Sequence, residues 1–208
     1  MLSPQQVVDC SGQLGCQGGS LKASFGYMTG GVCAEAAYPY TASVGACKAA
    51  ACAKVATVKS ATGVKANSQA ALEAALRQQP VTVAVAASTS AWQLYSSGVL
   101  NDPTCGSALD HAVLLVGIDS AAVGGDFWRL RNQWGVGWVR GWERAALAPR
   151  ERVRERASER ASACRARLTQ SPIPSLQGEA GHIRLARGAS TGPSGQCGVL
   201  SDSVVPNV

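Results

Sequence analysis

The stretch Leu109-Asp110-His111-Ala112-Val113-Leu114-Leu115-Val116-Gly117, followed by Asn132-Gln133-Trp134-Gly135, decides how this chain folds. It sets one of only two histidines at the head of an apolar strand, with an Asn-x-Trp-Gly turn one hairpin later. An amide oxygen that accepts from one ring N–H fixes the imidazole tautomer and leaves the other nitrogen to take a proton. Trp134, two residues past Asn132, can cover that bond and exclude water, which strengthens it. A histidine or a turn asparagine by itself is more simply read as packing. Together, and with Gly137-Trp138 following, they point to a general base and the amide that orients it.

Working outward, Ala112 to Ile118 is almost continuously apolar and reads as a strand buried on both faces. Phe127 to Asn132 alternates, as a half-buried antiparallel partner does, and Gly124-Gly125-Asp126 supplies the turn between them. Val81 to Val85 is a strand by β-branched content, and His182 to Arg187 alternates again. Ser68 to Gln79 predicts a helix with Leu72, Ala75 and Leu76 on one face, ended by Pro80. Nearer the start, Ser3 caps a short helix with Pro4 at its first position, and Gln6 sits where a capping box places it. Cys10 to Gly19 is an irregular Gly/Cys loop. Ser20 to Met28 reads as a helix stopped by Gly30-Gly31. An irregular stretch then runs from Tyr38-Pro39-Tyr40 through Cys47 and Cys52. Val55, Val58 and Val64 suggest extended pieces. The chain is therefore expected to be α+β, its second part a strongly bent antiparallel sheet or barrel.

At 208 residues and 46% hydrophobic, it can bury one good core or two small ones. Eight cysteines suggest an oxidising compartment with several bridges. Metal binding is the weaker account of them, because no Cys-x-x-Cys occurs. The net charge of +6 is concentrated, since residues 139–177 hold nine Arg and four Glu. That segment is low-complexity, a solvated helix or disordered, and Ser171-Pro172-Ile173-Pro174 closes it as a linker. No apolar run approaches membrane-spanning length and no signal peptide is apparent. Cysteine-rich sequence without a leader raises the expectation of a missing N-terminus.

The motifs, in order, resemble the papain/cathepsin family of cysteine peptidases. They are Leu2-Ser3-Pro4-Gln5-Gln6-Val7-Val8-Asp9-Cys10, Gly15-Cys16-Gln17-Gly18-Gly19, Tyr38-Pro39-Tyr40, Gln79-Pro80-Val81-Thr82-Val83, Trp92-Gln93-Leu94-Tyr95-Ser96-Ser97-Gly98-Val99, Asp110-His111-Ala112-Val113, Asn132-Gln133-Trp134-Gly135 and Cys197-Gly198. The resemblance implies a papain-like fold, with residues 1–54 an incomplete helical lobe and residues 55–138 and 178–208 an antiparallel β-barrel-like lobe. It makes His111 the catalytic base and Asn132 its orienting partner, with Gln133 where the family most often has Ser. Gly18 and Gly19 are expected to meet an extended peptide by backbone. Leu21, Ala84, Leu109 and Asp202 match positions around the side-chain pocket, and Asp110 and Trp134 are grouped with them as substrate-binding. The implied bridges are Cys10–Cys47 and Cys105–Cys197. Cys33 and Cys52 are extra and pair with each other or not, and Cys16 is expected to be free. No cofactor or metal is implied. The partners are peptide or protein substrates, with no nucleic acid or membrane, for a protein monomeric when complete and lysosomal, vacuolar or secreted.

One part of the pattern is not met. The family's nucleophile is a Cys followed by Trp at the start of a long helix, which lowers its pKa, and a Gln shortly before it helps to bind the oxyanion. No Cys-Trp occurs here. The expectation is a truncated peptidase, inactive as written, with an exposed seam that invites aggregation. Residues 139–177 are expected to be translated intron. Joining Trp138 to Gly178 restores a family-like segment, Gly137-Trp138-Gly178-Glu179-Ala180-Gly181-His182-Ile183-Arg184. Val139 codons begin with GT, and Gln177 can be encoded by CAG. A real Arg-rich loop is the competing account. The alternative functions are a non-catalytic peptide-binding relative and a nucleic-acid binder acting through Arg140 to Arg167. The second of these lacks interleaved aromatics and a recognisable fold.

Overall fold

The computed structural model of the chain describes residues 1–121, 123–134, 181–188 and 191–208. Gly135, Gly137-Trp138, the segment 139–177 and Gly178 to Ala180 lie outside the described residues. The described chain divides into two units, Met1–Thr62 with Pro206–Val208, and the residues between Gly63 and Val205. In the first unit β2 (Lys54–Ala56) pairs back onto β1 (Val32–Cys33).

In the first unit Ser3 Oγ accepts from Gln6 N at 3.1 Å and donates to Tyr38 O at 2.6 Å, starting helix α1 (Pro4–Cys10). Pro4 costs nothing there, because its missing N–H has no helical acceptor. The expected capping box does not close. Gln6 is buried and its amide turns elsewhere: Oε1 accepts from Cys33 N at 2.7 Å, and Nε2 donates to Tyr27 Oη and Gly31 O. Ser20 caps helix α2 (Leu21–Met28). Gly31 follows at φ +89°, where an added Cβ would lie 2.8 Å from Lys54 Cγ. Tyr38 is buried; its O–H donates to Asp9 Oδ2 and its oxygen accepts from Lys48 N. Burial pushes its phenol above the ordinary value, against the lowering pull of the Lys48 N–H. Bridges Cys10–Cys47 and Cys33–Cys52 tie the loops to these elements.

The main sheet has seven strands: β3 (Ser60–Gly63), β4 (Val81–Val85), β5 (Val99–Leu100), β6 (His111–Ala121), β7 (Gly125–Arg131), β8 (His182–Ala186) and β9 (Ser203–Asn207). Their order is β3-β9-β4-β6-β7-β8-β5. It is open, with β3 and β5 as its edges, so no barrel closes among the described residues. β5 runs parallel to β8. Val58 and Val64 fall outside the strands. Helix α3 (Gln69–Leu76), capped by Ser68, buries Leu72, with Ala75 and Leu76 packed beside it. The core gathers Val81, Val83, Val85, Val113, Leu115, Trp128, Leu130, Ile183 and Leu185.

β6 is not buried on both faces, although its composition suggests so. His111, Val113 and Leu115 are buried, while Ala112 is exposed. The neighbouring strands β4 and β7 cover its backbone, and the core covers one face only. A β-bulge interrupts the register with β7: Leu115 faces Leu130, but Gly117 faces Arg129, leaving Val116 as an extra residue. Ile118 therefore lies opposite Trp128 and joins the core side.

Candidate active site

His111 begins β6 opposite Val85 of β4. Its neighbour Asp110 donates its N–H to Val85 O at 3.1 Å. The Asp110 carboxylate accepts from Ala87 N at 2.7 Å and from Ser88 N at 3.1 Å. The backbone entering the strand is thus tied to the end of β4 and the residues just after it. Asn132 follows the last residue of β7, and its N–H is fixed by Gly181 O at 2.9 Å.

These strands bring the two side chains together. His111 Nε2 lies 2.9 Å from Asn132 Oδ1. The same Oδ1 accepts from Gln133 N at 2.9 Å. A backbone N–H only donates, so that atom of the amide is the oxygen. An oxygen cannot donate to Nε2, so Nε2 carries the hydrogen and the ring lone pair belongs to Nδ1. Both residues are nearly sealed, His111 at 7% and Asn132 at 6% exposure. Trp134 tilts over the imidazole at a centroid distance of 4.8 Å, and Trp92 meets it edge-on at 6.4 Å. Gln133 Nε2 donates to Ala112 O, adding a second tie across the hairpin. Asn132 Nδ2 is buried with no hydrogen-bond partner among the described residues.

This geometry holds the imidazole of His111 in one tautomer. A profile described as Papain family cysteine protease matches residues 1–156. The chain belongs to the papain family. It is similar to the probable cysteine protease RD21B of Arabidopsis thaliana, 36% identical over 210 residues, covering 99% of this chain and 36% of that protein. It is similar to digestive cysteine proteinase 2 of Homarus americanus, 42% identical over 144 residues, covering 66% of this chain and 44% of that one. Among solved structures it resembles the bromelain protease of Ananas comosus in complex with the E64 inhibitor. There the TM-score is 0.76 at 32% identity, covering 100% of this chain and 78% of that chain. The fold is papain-like α+β. The chain spans about two fifths of the length of these curated relatives, 36% and 44%.

The other positions that the family pattern singles out fall in their own units. In the second, Ala84 is half-buried on β4 and donates its N–H to Asp202 O at 2.9 Å, so these two backbones are adjacent. Asp202 is exposed. Leu109 is 37% exposed and packs against Gly198, where an added Cβ would lie 2.7 Å from Leu109 Cδ2. In the first unit Gly18 adopts φ +109°, Gly19 is exposed, and Leu21 opens α2. Gly19 has a local reason to be glycine, since a Cβ there would meet the Gln13 side-chain amide.

Cys105–Cys197 closes the third bridge, 92 residues apart in sequence. Cys16, expected to be free, is disulfide-bonded. Among the described residues no cysteine is free. No group of three His, Cys, Asp or Glu able to hold a metal occurs among them. Sequence reading missed Trp92 as a wall of the site. It stood in a quoted motif, but nothing local says that a helix residue 19 positions earlier packs on His111.

Proposed function

We propose that this chain carries the base half of a cysteine-type endopeptidase site, with His111 as acid–base and Asn132 as its orienting residue. The observation that supports this most strongly is the doubly engaged Asn132 Oδ1, which accepts from Gln133 N and from His111 Nε2. In the complete reaction Nδ1 would take the proton of a thiol, give it to the departing amine, and then take one from the water that hydrolyses the acyl-enzyme. Trp134 and Trp92 would exclude water from the imidazole. The substrate would be a peptide; the family pattern assigns Gly18, Gly19 and Leu21 of the first unit to it, and, of the second unit, Ala84, Leu109, Asp110, Trp134 and Asp202.

The 208 residues by themselves are inactive in this reading. No cysteine is followed by Trp, and every described cysteine is bridged. In this reading the sulfur is not one of the described cysteines. The bridges suit an oxidising compartment, vacuolar, lysosomal or secreted. The test compares this chain with a product of the same locus extended upstream to include a Gln…Cys-Trp exon, using an epoxide thiol probe and a fluorogenic peptide. The 208-residue chain is expected to stay unlabelled. The extended one is expected to label, and to lose labelling in His111→Ala. Labelling of the short chain that depends on His111 would overturn its inactivity. Full turnover by the extended His111→Ala variant would overturn the role of the base.

A further inference from the structure

We propose that the Cys33–Cys52 bridge is a thiol-exchange site, opened by a dithiol reductant that attacks Cys52 and expels Cys33 beside the ammonium of Lys54. The register sets Cys33 of β1 directly across from Lys54 of β2. Side chains at paired positions are neighbours, and Lys54 Nζ lies 3.4 Å from Cys33 Sγ. The same Nζ donates to Ala49 O, which fixes it at the bridge. A cation so placed favours the thiolate over the thiol. The better a sulfur carries negative charge, the faster it leaves in exchange. The two sulfurs also differ in access: Cys33 is fully buried, and Cys52 is half-buried. An incoming thiolate therefore meets Cys52. Its sulfur bonds to Cys52 Sγ, the Cys33–Cys52 bond breaks, and that electron pair goes to Cys33 Sγ. The reductant's second thiol then attacks the mixed disulfide and releases Cys52, closing the reductant's own disulfide. Two electrons pass from the dithiol to the protein, and its two protons end on Cys33 and Cys52.

The other two bridges whose cysteines are both described lack this combination. Cys105 and Cys197 are both buried, out of reach of a thiol. Cys47 is exposed and Cys10 half-buried. The hydroxyl 3.9 Å from Cys10 Sγ belongs to Tyr38, however, and it is already bonded to the Asp9 carboxylate at 2.8 Å. A carboxylate behind the bridge disfavours a departing thiolate at Cys10. Opening Cys33–Cys52 has a local effect. Cys10–Cys47 still ties the loop to α1, so the release frees the turn Ala49–Ala51 and loosens β2. Tyr27, Gly30, Gly31, Ala49, Ala50 and Lys54 line a cavity of about 260 Å³, so the freed turn has room to move.

The experiment treats the 208-residue chain with dithiothreitol, a dithiol, and follows each bridge by timed alkylation and peptide mapping, with thermal melting to verify folding. Cys33–Cys52 is expected to open before Cys10–Cys47 and Cys105–Cys197. Lys54→Gln is expected to slow that opening roughly threefold, because the leaving sulfur loses its cation. Lys54→Arg, which keeps the charge, and Lys22→Gln, which removes one elsewhere in the first unit, should leave the rate unchanged. Glutathione, a monothiol, forms the mixed disulfide, and its adduct is expected on Cys52. Hydrogen exchange of the opened protein should rise over residues 49–56 while α1 stays protected. The order of opening and the position of the adduct need no variant. Earlier opening of either other bridge, an unchanged rate in Lys54→Gln, equal slowing by Lys22→Gln, an adduct on Cys33, or lost protection along α1 would overturn the proposal.

Discussion

Asn132 Oδ1 does two jobs with one atom, holding its own turn through Gln133 N and the imidazole through Nε2. Asn132→Ala removes both. The expected outcome, read from imidazole nitrogen NMR of His111, is a change from a single tautomer to an exchanging mixture. A ring that keeps its Nε2–H form in the variant would show that packing by Trp134 and Trp92 suffices. Asp110 works on backbone: Asp110→Ala leaves the N–H groups of Ala87 and Ser88 without their acceptor. It should cost about 1.5–3 kcal/mol in urea unfolding, the range for hydrogen bonds to a charged group. At this scale the meeting of His111 with Asn132 was legible, because the turn that follows the paired strand carries an amide acceptor within reach of the imidazole. The use of the Asp110 carboxylate was not legible, since its donors lie 22 and 23 residues away across β4. Nor was the bridging of Cys16, because pairing depends on which loops meet in space.

Helix starts were readable where a serine hydroxyl accepts from the first turn, at Ser3, Ser20 and Ser68. Ser3→Ala is expected to destabilise the first unit by about 1 kcal/mol or more, seen as faster hydrogen exchange along α1. The turn Pro103–Cys105 gives a pH-dependent case. The Asp102 carboxyl is held below its ordinary value, first by the Thr104 hydroxyl and then by the Thr104 N–H. A lowered folded value means the stabilisation is complete above the unfolded carboxylate pKa and is lost as pH falls through the folded one. Acid titration should therefore move the Thr104 amide resonance only below the ordinary Asp range, and Asp102→Asn should abolish that movement. The strand pattern misled where β6 was concerned. An apolar run does not say which face is covered, and nothing in Leu115-Val116-Gly117 announces a bulge beyond the glycine itself. The two-residue β5, with its parallel pairing, is too short to carry a period.

Across the whole molecule, Cys105–Cys197 closes the longest of the described loops, with a sequence separation of 92. Chain-entropy arguments assign such a closure about 4–5 kcal/mol. Replacing both cysteines by Ala should lower the denaturation midpoint of the second unit accordingly, while the Cys33–Cys52 pair, 19 apart, should matter less. Transcript sequencing bears on residues 139–177: mature message is expected to lack the bases encoding them, and abundant message that keeps them would make the segment a true insertion. The α+β class and the order of elements could be read from caps, β-branched runs and turn residues. The openness of the sheet could not, because closure depends on how far each strand tilts.

The extra residue at Val116 has a consequence for shape. Deleting it would leave Leu115 opposite Leu130 and bring Gly117 against Arg129 in unbroken alternation, with Ile118 still beside Trp128. No side chain would change sides, so the core would keep its members. What would go is the local coil that a bulge imparts. The hairpin would straighten into a flatter arc, and its far tip, where Ser120 faces Asp126, would swing away while the histidine end stayed anchored to β4. Val116 thus acts on curvature, a property that a hydrophobic inventory of the strand does not register.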